Sequence, residues 1–410
     1  MYFMMHYFLP PLTLFIVVFT AFTNVKGQAI KDEDELKGRR IVCLYNHKQY
    51  YHQGHNVSDI DAHSCTHLNY EFATLNRETY LMEPGDPELD IHLNMFQSAT
   101  DLRHKNPKLK VLLSLGGWQD STKKYSELVE SGARVDHFIN EAVELLNKHS
   151  FDGLDVAWEY PNCWQGALGV SPKDKKNYAE FLEKLRKRFD KEDMILSISV
   201  GAIEREILAA YDGPKVSKSV HHINVMTYDL HGPWETTTGH HTQMDKVEGD
   251  KDAKLNAMAA MQVWVDLGVE KKKLNLGIAT YAKTFTLVNP AIHGLNAPAK
   301  GPGRPGYVTK QSGFLCYYEI CQYLNAGNWT EDEHKSAGFY AYSGDQWACY
   351  DPPMMVVRKA KWVIENDYGG VLIKDMSCDD YQGICYSMHY LLTKMTQMEM
   401  IHKLKHSAEL

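Results

Sequence analysis

The chain has 410 residues and a formal net charge of −8, from 44 Lys and Arg against 52 Asp and Glu. Charges of one sign form no long blocks, which argues against nucleic-acid binding and predicts a soluble protein. The 44% of hydrophobic residues is enough for a sizeable core. Because α/β barrels often exceed the average domain size, this length is compatible with one large domain.

The first 27 residues resemble a targeting segment. An apolar run over 8–22 is followed by small and polar residues up to Gly27, a pattern typical of a cleaved signal peptide. The alternative is an uncleaved signal anchor, although the run is short for a membrane span. Later residues contain no apolar run of 18. We therefore expect a secreted, extracellular protein with no membrane span in the mature chain.

Two further features fit the secretory pathway. Eight cysteines are typical of an oxidising compartment. Asn56-Val57-Ser58 and Asn328-Trp329-Thr330 are acceptor sequences for N-glycosylation, at Asn56 and Asn328. The cysteines show no CxxC zinc spacing, and we expect neither a metal nor a cofactor.

Eight short apolar segments alternate with helical patterns along the chain. These predicted strands cover 40–44, 67–72, 110–115, 153–156, 195–200, 223–227, 274–279 and 370–373. The clearest helical pattern covers 177–190, where apolar residues recur at helical spacing. This alternation predicts an α/β fold whose parallel strands close into a (β/α)8 TIM barrel. Residues 283–350 are too many for one simple connection between the last two strands.

The fourth predicted strand carries an unusual row of acids. Side chains two residues apart on a strand share a face, so Asp155, Ala157 and Glu159 point the same way. Acids on alternate positions of an apolar strand are costly to bury without a function. The row therefore predicts a site in which one expected acid is missing, at Ala157.

This segment resembles glycoside hydrolase family 18, the chitinases and chitinase-like lectins. Their motif D-G-x-D-x-D-W-E-Y-P matches residues 152–161 except that an Asp is replaced by Ala157. The segments 114–118 and 226–235, which follow the third and sixth strands, also match the family. The resemblance covers residues 40 to about 393 and implies a small α+β insertion at about 283–350. It divides the chain into a signal peptide (1–27), a barrel domain (28–393) and a C-terminal tail (394–410).

The resemblance implies a chemistry for the site. Family members hydrolyse N-acetylglucosamine polymers with the substrate's own acetamido oxygen as nucleophile, while a Glu protonates the leaving oxygen. Glu159 holds the position of that acid. Asp155, Tyr228 and Asp229 hold the other catalytic positions. The missing Asp would orient the acetamido N–H and raise the pKa of the acid, and Ala157 can do neither.

The resemblance also implies the sugar contacts and two disulfides. Expected carbohydrate-binding residues are Phe72, Trp118, Trp158, Met226, Trp234 and Tyr281. The subsite is altered at Leu44 (for Tyr), Ala157 (for Asp), Lys283 (for Arg) and Lys374 (for a Trp that floors the reacting sugar). The implied disulfides are Cys43–Cys65 and Cys321–Cys385, and the other four cysteines (Cys163, Cys316, Cys349 and Cys378) allow three pairings among themselves.

The altered residue Lys374 suggests a specific hypothesis. The fourth and eighth strands open at the same barrel mouth, so the ammonium of Lys374 could pair with Glu159 and lower the pKa of that carboxyl. The alternative is that Lys374 extends into solvent.

Three functions are compatible with these residues. The favoured one is a secreted protein that binds chitin or N-acetylglucosamine oligosaccharides with little or no hydrolysis, as a lectin or a growth-factor-like protein. The segment 369–381 also resembles the imaginal disc growth factors, which are chitinase-like secreted proteins. The alternatives are a weakly active chitinase that uses Glu159 as acid, and a protein-binding or storage protein. We expect a monomer that binds glycans, with a cell-surface receptor as a possible partner.

Overall fold

The computed structural model describes residues 33–164, 166–250 and 252–406. The predicted signal peptide therefore lies outside the described residues. No helix in the described ranges is long and apolar enough to cross a membrane.

Eight parallel strands form a closed barrel, which confirms the predicted fold class. The first strand pairs with both the second and the eighth, so that Val42 lies opposite His67 on one side and Leu372 on the other. The barrel strands are Arg40–Asn46, His67–Leu75, Lys110–Gly116, Gly153–Ala157, Ile195–Val200, His222–Val225, Leu274–Ala279 and Gly370–Lys374. A short strand, Met82–Pro84, pairs antiparallel with the second barrel strand.

Helices surround the barrel and cover its outer face. The helix predicted from the 3.6-residue spacing spans Asp174–Phe189 and buries Tyr178, Phe181, Leu182, Leu185 and Phe189. Such a stripe is the face that an amphipathic helix packs against a sheet. The other helices of the barrel are Gln49–Gln53, Met95–Asp101, Thr122–Glu130, Gly132–Lys148, Glu204–Ala210, Gly213–Ser219, Ala257–Asp266, Pro353–Glu365 and Leu391–His406.

A separate antiparallel sheet lies between the seventh strand and the helix Pro353–Glu365. Its strands pair in the order Ala299–Pro302, Tyr281–Leu287, Gln346–Tyr350, Gly338–Ser343 and Thr330–His334, and Phe314–Cys316 also pairs with Tyr281–Leu287. The helix Tyr317–Asn325 completes this α+β unit. Its own small core contains Phe285, Leu287, Tyr340 and Trp347.

Three disulfides connect the described residues. Two of them, Cys43–Cys65 and Cys321–Cys385, are the pairs implied by the resemblance. The third joins Cys316, in the insertion, to Cys378, after the eighth strand. Cys163 and Cys349 are buried free thiols. The four unassigned cysteines therefore form one bond rather than two.

The last helix, Leu391–His406, extends through most of the segment that the sequence suggested as a tail. It buries Leu391, Leu392, Met400 and Leu404. The ammonium of Lys403 donates to the carboxylate of Glu365, on the helix Pro353–Glu365. This segment is therefore part of the packed structure.

Candidate functional site

The carboxyl ends of the barrel strands bring the expected site residues to one mouth. In α/β barrels this face carries the binding site, because the loops that follow the strands meet there. Glu159 follows the fourth strand, Tyr228 follows the sixth, and Lys374 ends the eighth. Lys374 lowers the pKa of Glu159, and Glu159 raises that of Tyr228, which fits side chains that face one mouth.

Asp155 lies inside the barrel below the mouth. Its carboxylate accepts four hydrogen bonds, from the hydroxyls of Ser197 (2.6 Å), Ser199 (2.9 Å) and Ser114 (3.2 Å) and from the amide of Asn224 (3.2 Å). Burial raises the pKa of Asp155, and these hydrogen bonds oppose the rise. The side chain is fully buried. Asp155 therefore lies in a saturated polar network and does not reach the open cleft.

Ala157 is the next residue on the same inward face. It is buried, and its backbone oxygen accepts a hydrogen bond of 2.8 Å from the N–H of Gly117. Its methyl group can neither accept a hydrogen bond nor carry charge. The position between Asp155 and Glu159 consequently contributes no electrostatic partner to the site.

Glu159 is the carboxyl at the acid position. Burial raises its pKa to about 8, with Lys374 opposing the rise and Glu71, Asp229 and Asp155 adding to it. Within the described ranges its side chain has no hydrogen-bond or ion-pair partner. Near neutral pH this carboxyl therefore holds its proton, as a general acid requires.

Lys374 pairs with a residue that the sequence analysis did not single out. Its Nζ lies 2.5 Å from Oε2 of Glu71, at the end of the second strand, and 5.5 Å from the ring centroid of Phe72. Glu71 is buried, and burial raises its pKa while the Lys374 ammonium opposes the rise. The predicted Lys374–Glu159 pair is therefore wrong as a direct contact. Lys374 does lower the pKa of Glu159, but burial outweighs that effect.

Phe72 reaches the cleft through an irregularity in its strand. The pairing register between the second and third strands shifts between Glu71 and Ala73, which leaves Phe72 as the extra residue. Such bulges re-aim side chains at the rims of barrels. The Phe72 ring lies so close to Gly117 that any side chain there would collide with it, at 2.8 Å from a Cβ. Gly117 thus allows the loop that carries Trp118 to pack against Phe72.

A second charged group lies where the sixth strand meets the insertion. Asp229 accepts a hydrogen bond of 2.7 Å from the Tyr281 hydroxyl, and its Oδ1 lies 3.2 Å from Nζ of Lys283 and 3.6 Å from Nδ1 of His241. Burial opposes ionisation, yet Lys283, His241 and Tyr281 hold the pKa of Asp229 well below its usual range. Asp229 is therefore ionised and already paired.

The hydroxyl of Tyr228 stands apart from these pairs. The side chain is buried, and its Oη has no hydrogen-bond partner in the part of the chain that the structure describes. Burial raises its pKa, as do Glu71 and Glu159. A buried hydroxyl without a partner costs free energy. It is therefore available for a ligand.

Two tryptophans offer exposed faces. Trp118 keeps 44% of its surface exposed and Trp234 keeps 62%. The ammonium of Lys283 lies 5.8 Å from the Trp234 ring centroid, 5.4 Å from that of Tyr281 and 5.8 Å from that of Phe314. Tyr281 and Phe314 stack with centroids 4.9 Å apart. Exposed aromatic faces suit the C–H faces of sugar rings.

Trp158 does not belong to this aromatic surface, and the expectation that it binds a sugar is corrected. It is only 2% exposed, it packs on Tyr125 and Tyr178, and its Nε1 donates a hydrogen bond of 2.5 Å to Thr122. Its place in the strand explains this position, because it alternates with the inward-facing Ala157 and Glu159. Trp158 therefore points outward, into the layer of helices.

The remaining expected residues lie in varied surroundings. Leu44 is buried on the first strand, opposite Asn69, and Met226 is partly exposed after the sixth strand. Of the two acceptor asparagines, Asn328 is exposed between the helix Tyr317–Asn325 and the strand Thr330–His334. Asn56 is partly exposed and accepts a hydrogen bond of 3.0 Å from the N–H of Ser58. No group of three or more His, Cys, Asp or Glu in the described ranges could hold a metal ion.

Glu71 and Phe314 are cleft residues that the sequence reasoning missed. Glu71 is an acid beside Phe72 on a mostly buried strand, and a buried strand acid is the same signal that revealed the acids of the fourth strand. Phe314 lies in the insertion, and its contact with Tyr281 follows from the pairing of Tyr281 with Cys316, which the sequence alone does not give.

Comparison with known proteins agrees with this geometry. The family model for glycosyl hydrolases family 18 matches residues 40–379. The chain belongs to this family. It is 36% identical over 364 residues to "Probable chitinase 10" of Drosophila melanogaster, a match that spans 87% of this chain but only 16% of that much longer protein.

Solved structures of the family include both enzymes and a binding protein. The catalytic domain 2 of the Group II chitinase of Ostrinia furnacalis has a TM-score of 0.86 and 34% identity, over 89% of this chain and 97% of that one. Human YKL-39, described as a pseudo-chitinase with retained chitooligosaccharide binding properties, has a TM-score of 0.81 and 30% identity, over 88% and 99%. The structures similar to this chain therefore include both a chitinase domain and a chitooligosaccharide-binding pseudo-chitinase.

Proposed function

We propose that this family 18 protein is secreted and binds chitin or N-acetylglucosamine oligosaccharides, with little or no hydrolysis. The observation that carries the proposal is the position of Ala157. It lies between Asp155, whose carboxylate already accepts four hydrogen bonds, and Glu159, whose carboxyl has no hydrogen-bond partner among the described residues. A carboxylate at that position would stabilise the cation that develops on the acetamido group. Loss of one such preorganised partner costs about 10²- to 10³-fold in rate.

The Glu71–Lys374 pair adds to this loss. The resemblance implies that active relatives carry a Trp at the position of Lys374, as a floor for the reacting sugar. Here a charged pair takes its place, and a charged pair does not offer an apolar stacking face. The rings of Trp118 and Trp234 remain exposed, which supports binding without turnover. The similar protein YKL-39 is described as a pseudo-chitinase with retained chitooligosaccharide binding properties, which supports the proposal.

Titration calorimetry with N-acetylglucosamine pentamer tests the binding. We expect saturable binding that weakens by about tenfold in Trp234→Ala, because one stacking platform for a ring is worth roughly 1–1.5 kcal/mol. Trp329→Ala alters an aromatic residue of the insertion that stacks on Tyr323; it is the matched control and should leave the affinity unchanged. Absence of binding at millimolar pentamer would favour a protein-binding or storage role instead.

A weak chitinase is the second candidate, and one observation favours it. The pKa of Glu159 is raised to about 8, so the carboxyl keeps the proton that a general acid donates. On this alternative, hydrolysis of the pentamer would be slow, would be abolished by Glu159→Gln, and would decline as the pH rises past about 8. Hydrolysis that survives Glu159→Gln would come from a contaminant and would rule out the weak chitinase activity.

A further inference from the structure

The charged groups around Glu159 include more carboxylates than ammonium groups. The groups that act on it are three carboxylates, those of Glu71, Asp229 and Asp155, and one ammonium, that of Lys374. Lys374 is paired with Glu71 at 2.5 Å, and Asp229 is paired with Lys283 at 3.2 Å. Asp155 has four neutral donors. Of the cleft carboxyls in the described ranges, Glu159 alone has no partner.

The neutral groups near Glu159 do not supply a partner for its carboxyl. Ala157 supplies only a methyl group, and the Tyr228 hydroxyl itself has no partner among the described residues. The resemblance implies that the missing Asp would have received the N–H of an acetamido group, so the contact that selects the acetylated sugar is absent. The remaining groups, a carboxyl and a hydroxyl, are both acceptors that an ammonium can use, with its three N–H donors.

We propose that this cleft prefers glucosamine, the deacetylated unit of chitin, and that Glu159 receives the ammonium at its C2 position. The inference rests on the proposed function, since it names the sugar that the same cleft takes. Charge-assisted hydrogen bonds are about twice as strong as neutral ones. The two ion pairs, Glu71–Lys374 and Asp229–Lys283, cancel the lysine charges that would otherwise repel this ligand.

Binding of glucosamine should change the protonation of Glu159. Free Glu159, partly buried and beside other carboxylates, holds its proton at about pH 6 because its pKa is about 8. When the ammonium of glucosamine lies beside it, the ionised carboxylate is favoured and the proton leaves to the buffer. Binding of glucosamine should release close to one proton per site, and binding of the acetylated sugar should release none.

The test compares two probes, glucosamine pentamer and N-acetylglucosamine pentamer, by calorimetry at about pH 6 in two buffers of different ionisation enthalpy. We expect the deacetylated pentamer to bind about tenfold more tightly, as one charged hydrogen bond allows. Glu159→Gln should remove both this difference and the proton release. Glu180→Gln makes the same Glu-to-Gln substitution on an exposed helical face away from the cleft and should change neither.

The outcomes separate this inference from the proposed function. Acetylated pentamer that binds as tightly as the deacetylated one would overturn the inference and leave the proposed function intact. A preference that persists in Glu159→Gln, or that is weakened equally by Glu180→Gln, would show adsorption of a cation to an acidic protein and would also overturn it. Absence of binding by both probes would refute the proposed function and this inference together.

Discussion

Replacement of Lys374 by Met tests the electrostatics of the cleft. The change removes the ammonium 2.5 Å from the buried carboxylate of Glu71 and keeps most of the side-chain volume. Removal of one partner of a buried ion pair typically costs 3–5 kcal/mol. We expect about 3 kcal/mol at neutral pH, the lower end of that range, because the Lys374 side chain is 21% exposed.

The loss of stability in Lys374→Met should depend on pH, through the protonation of Glu71. Burial already raises the pKa of Glu71, and without Lys374 that folded-state pKa rises further above its unfolded value. A carboxyl with a raised folded pKa loses stability as the pH climbs from the unfolded pKa toward the folded one. The deficit of Lys374→Met should therefore be small near pH 4.5, where the folded state binds the proton and the unfolded state binds about half a proton, and should grow toward about pH 7.

The assay is urea unfolding at the two pH values. Lys394→Met breaks an ion pair with Asp61 at 3.2 Å between partly exposed side chains and serves as the control, with an expected loss below about 1 kcal/mol. The double variant Glu71→Gln with Lys374→Met should recover most of the loss, because no buried charge is left unpaired. A deficit of the same size at both pH values, or no deficit at all, would refute the assignment of Glu71 as the partner of Lys374.

The other expected outcomes concern the sugar site and the barrel. Ala157→Asp should recover little hydrolysis while Lys374 remains, and full activity in a pentamer assay would show that the other changes in the subsite matter less than we infer. Trp158→Ala should lower the stability by about 3–5 kcal/mol, measured by denaturation, rather than act on sugar binding alone. Burial lowers the pKa of His67 to about 3 and lowers that of His222 well below its usual value. Since the unfolded chain takes up these protons first, stability should fall below about pH 6.5, by roughly 2 kcal/mol at pH 5 from His67, and His67→Gln should remove that share in pH-dependent unfolding.

Most of the barrel could be predicted from the sequence because its signal is local. Each buried strand is a short apolar run, and the predicted 195–200 and 274–279 coincide with Ile195–Val200 and Leu274–Ala279. The acids of the fourth strand were informative for the same reason, since period-two alternation fixes which side chains share a face. That rule, applied to Trp158, would also have placed this residue on the outer face. The resemblance to the family motif outweighed it.

Contacts between distant strands could not be predicted in the same way. Lys374 and Glu71 are 303 residues apart, and nothing in either strand indicates that they meet rather than Lys374 and Glu159. Their contact depends on barrel closure, which pairs the first strand with both the second and the eighth. The shift that re-aims Phe72 likewise depends on its neighbouring strand. These features need the three-dimensional structure.

The most direct test of the central claim measures binding and hydrolysis of N-acetylglucosamine pentamer on one preparation, with Glu159→Gln as the blank. We predict saturable binding together with a hydrolysis rate at least about 10²- to 10³-fold below that of a family 18 chitinase assayed in parallel, because Ala157 supplies no electrostatic partner. Turnover within tenfold of that enzyme, lost in Glu159→Gln, would contradict the account.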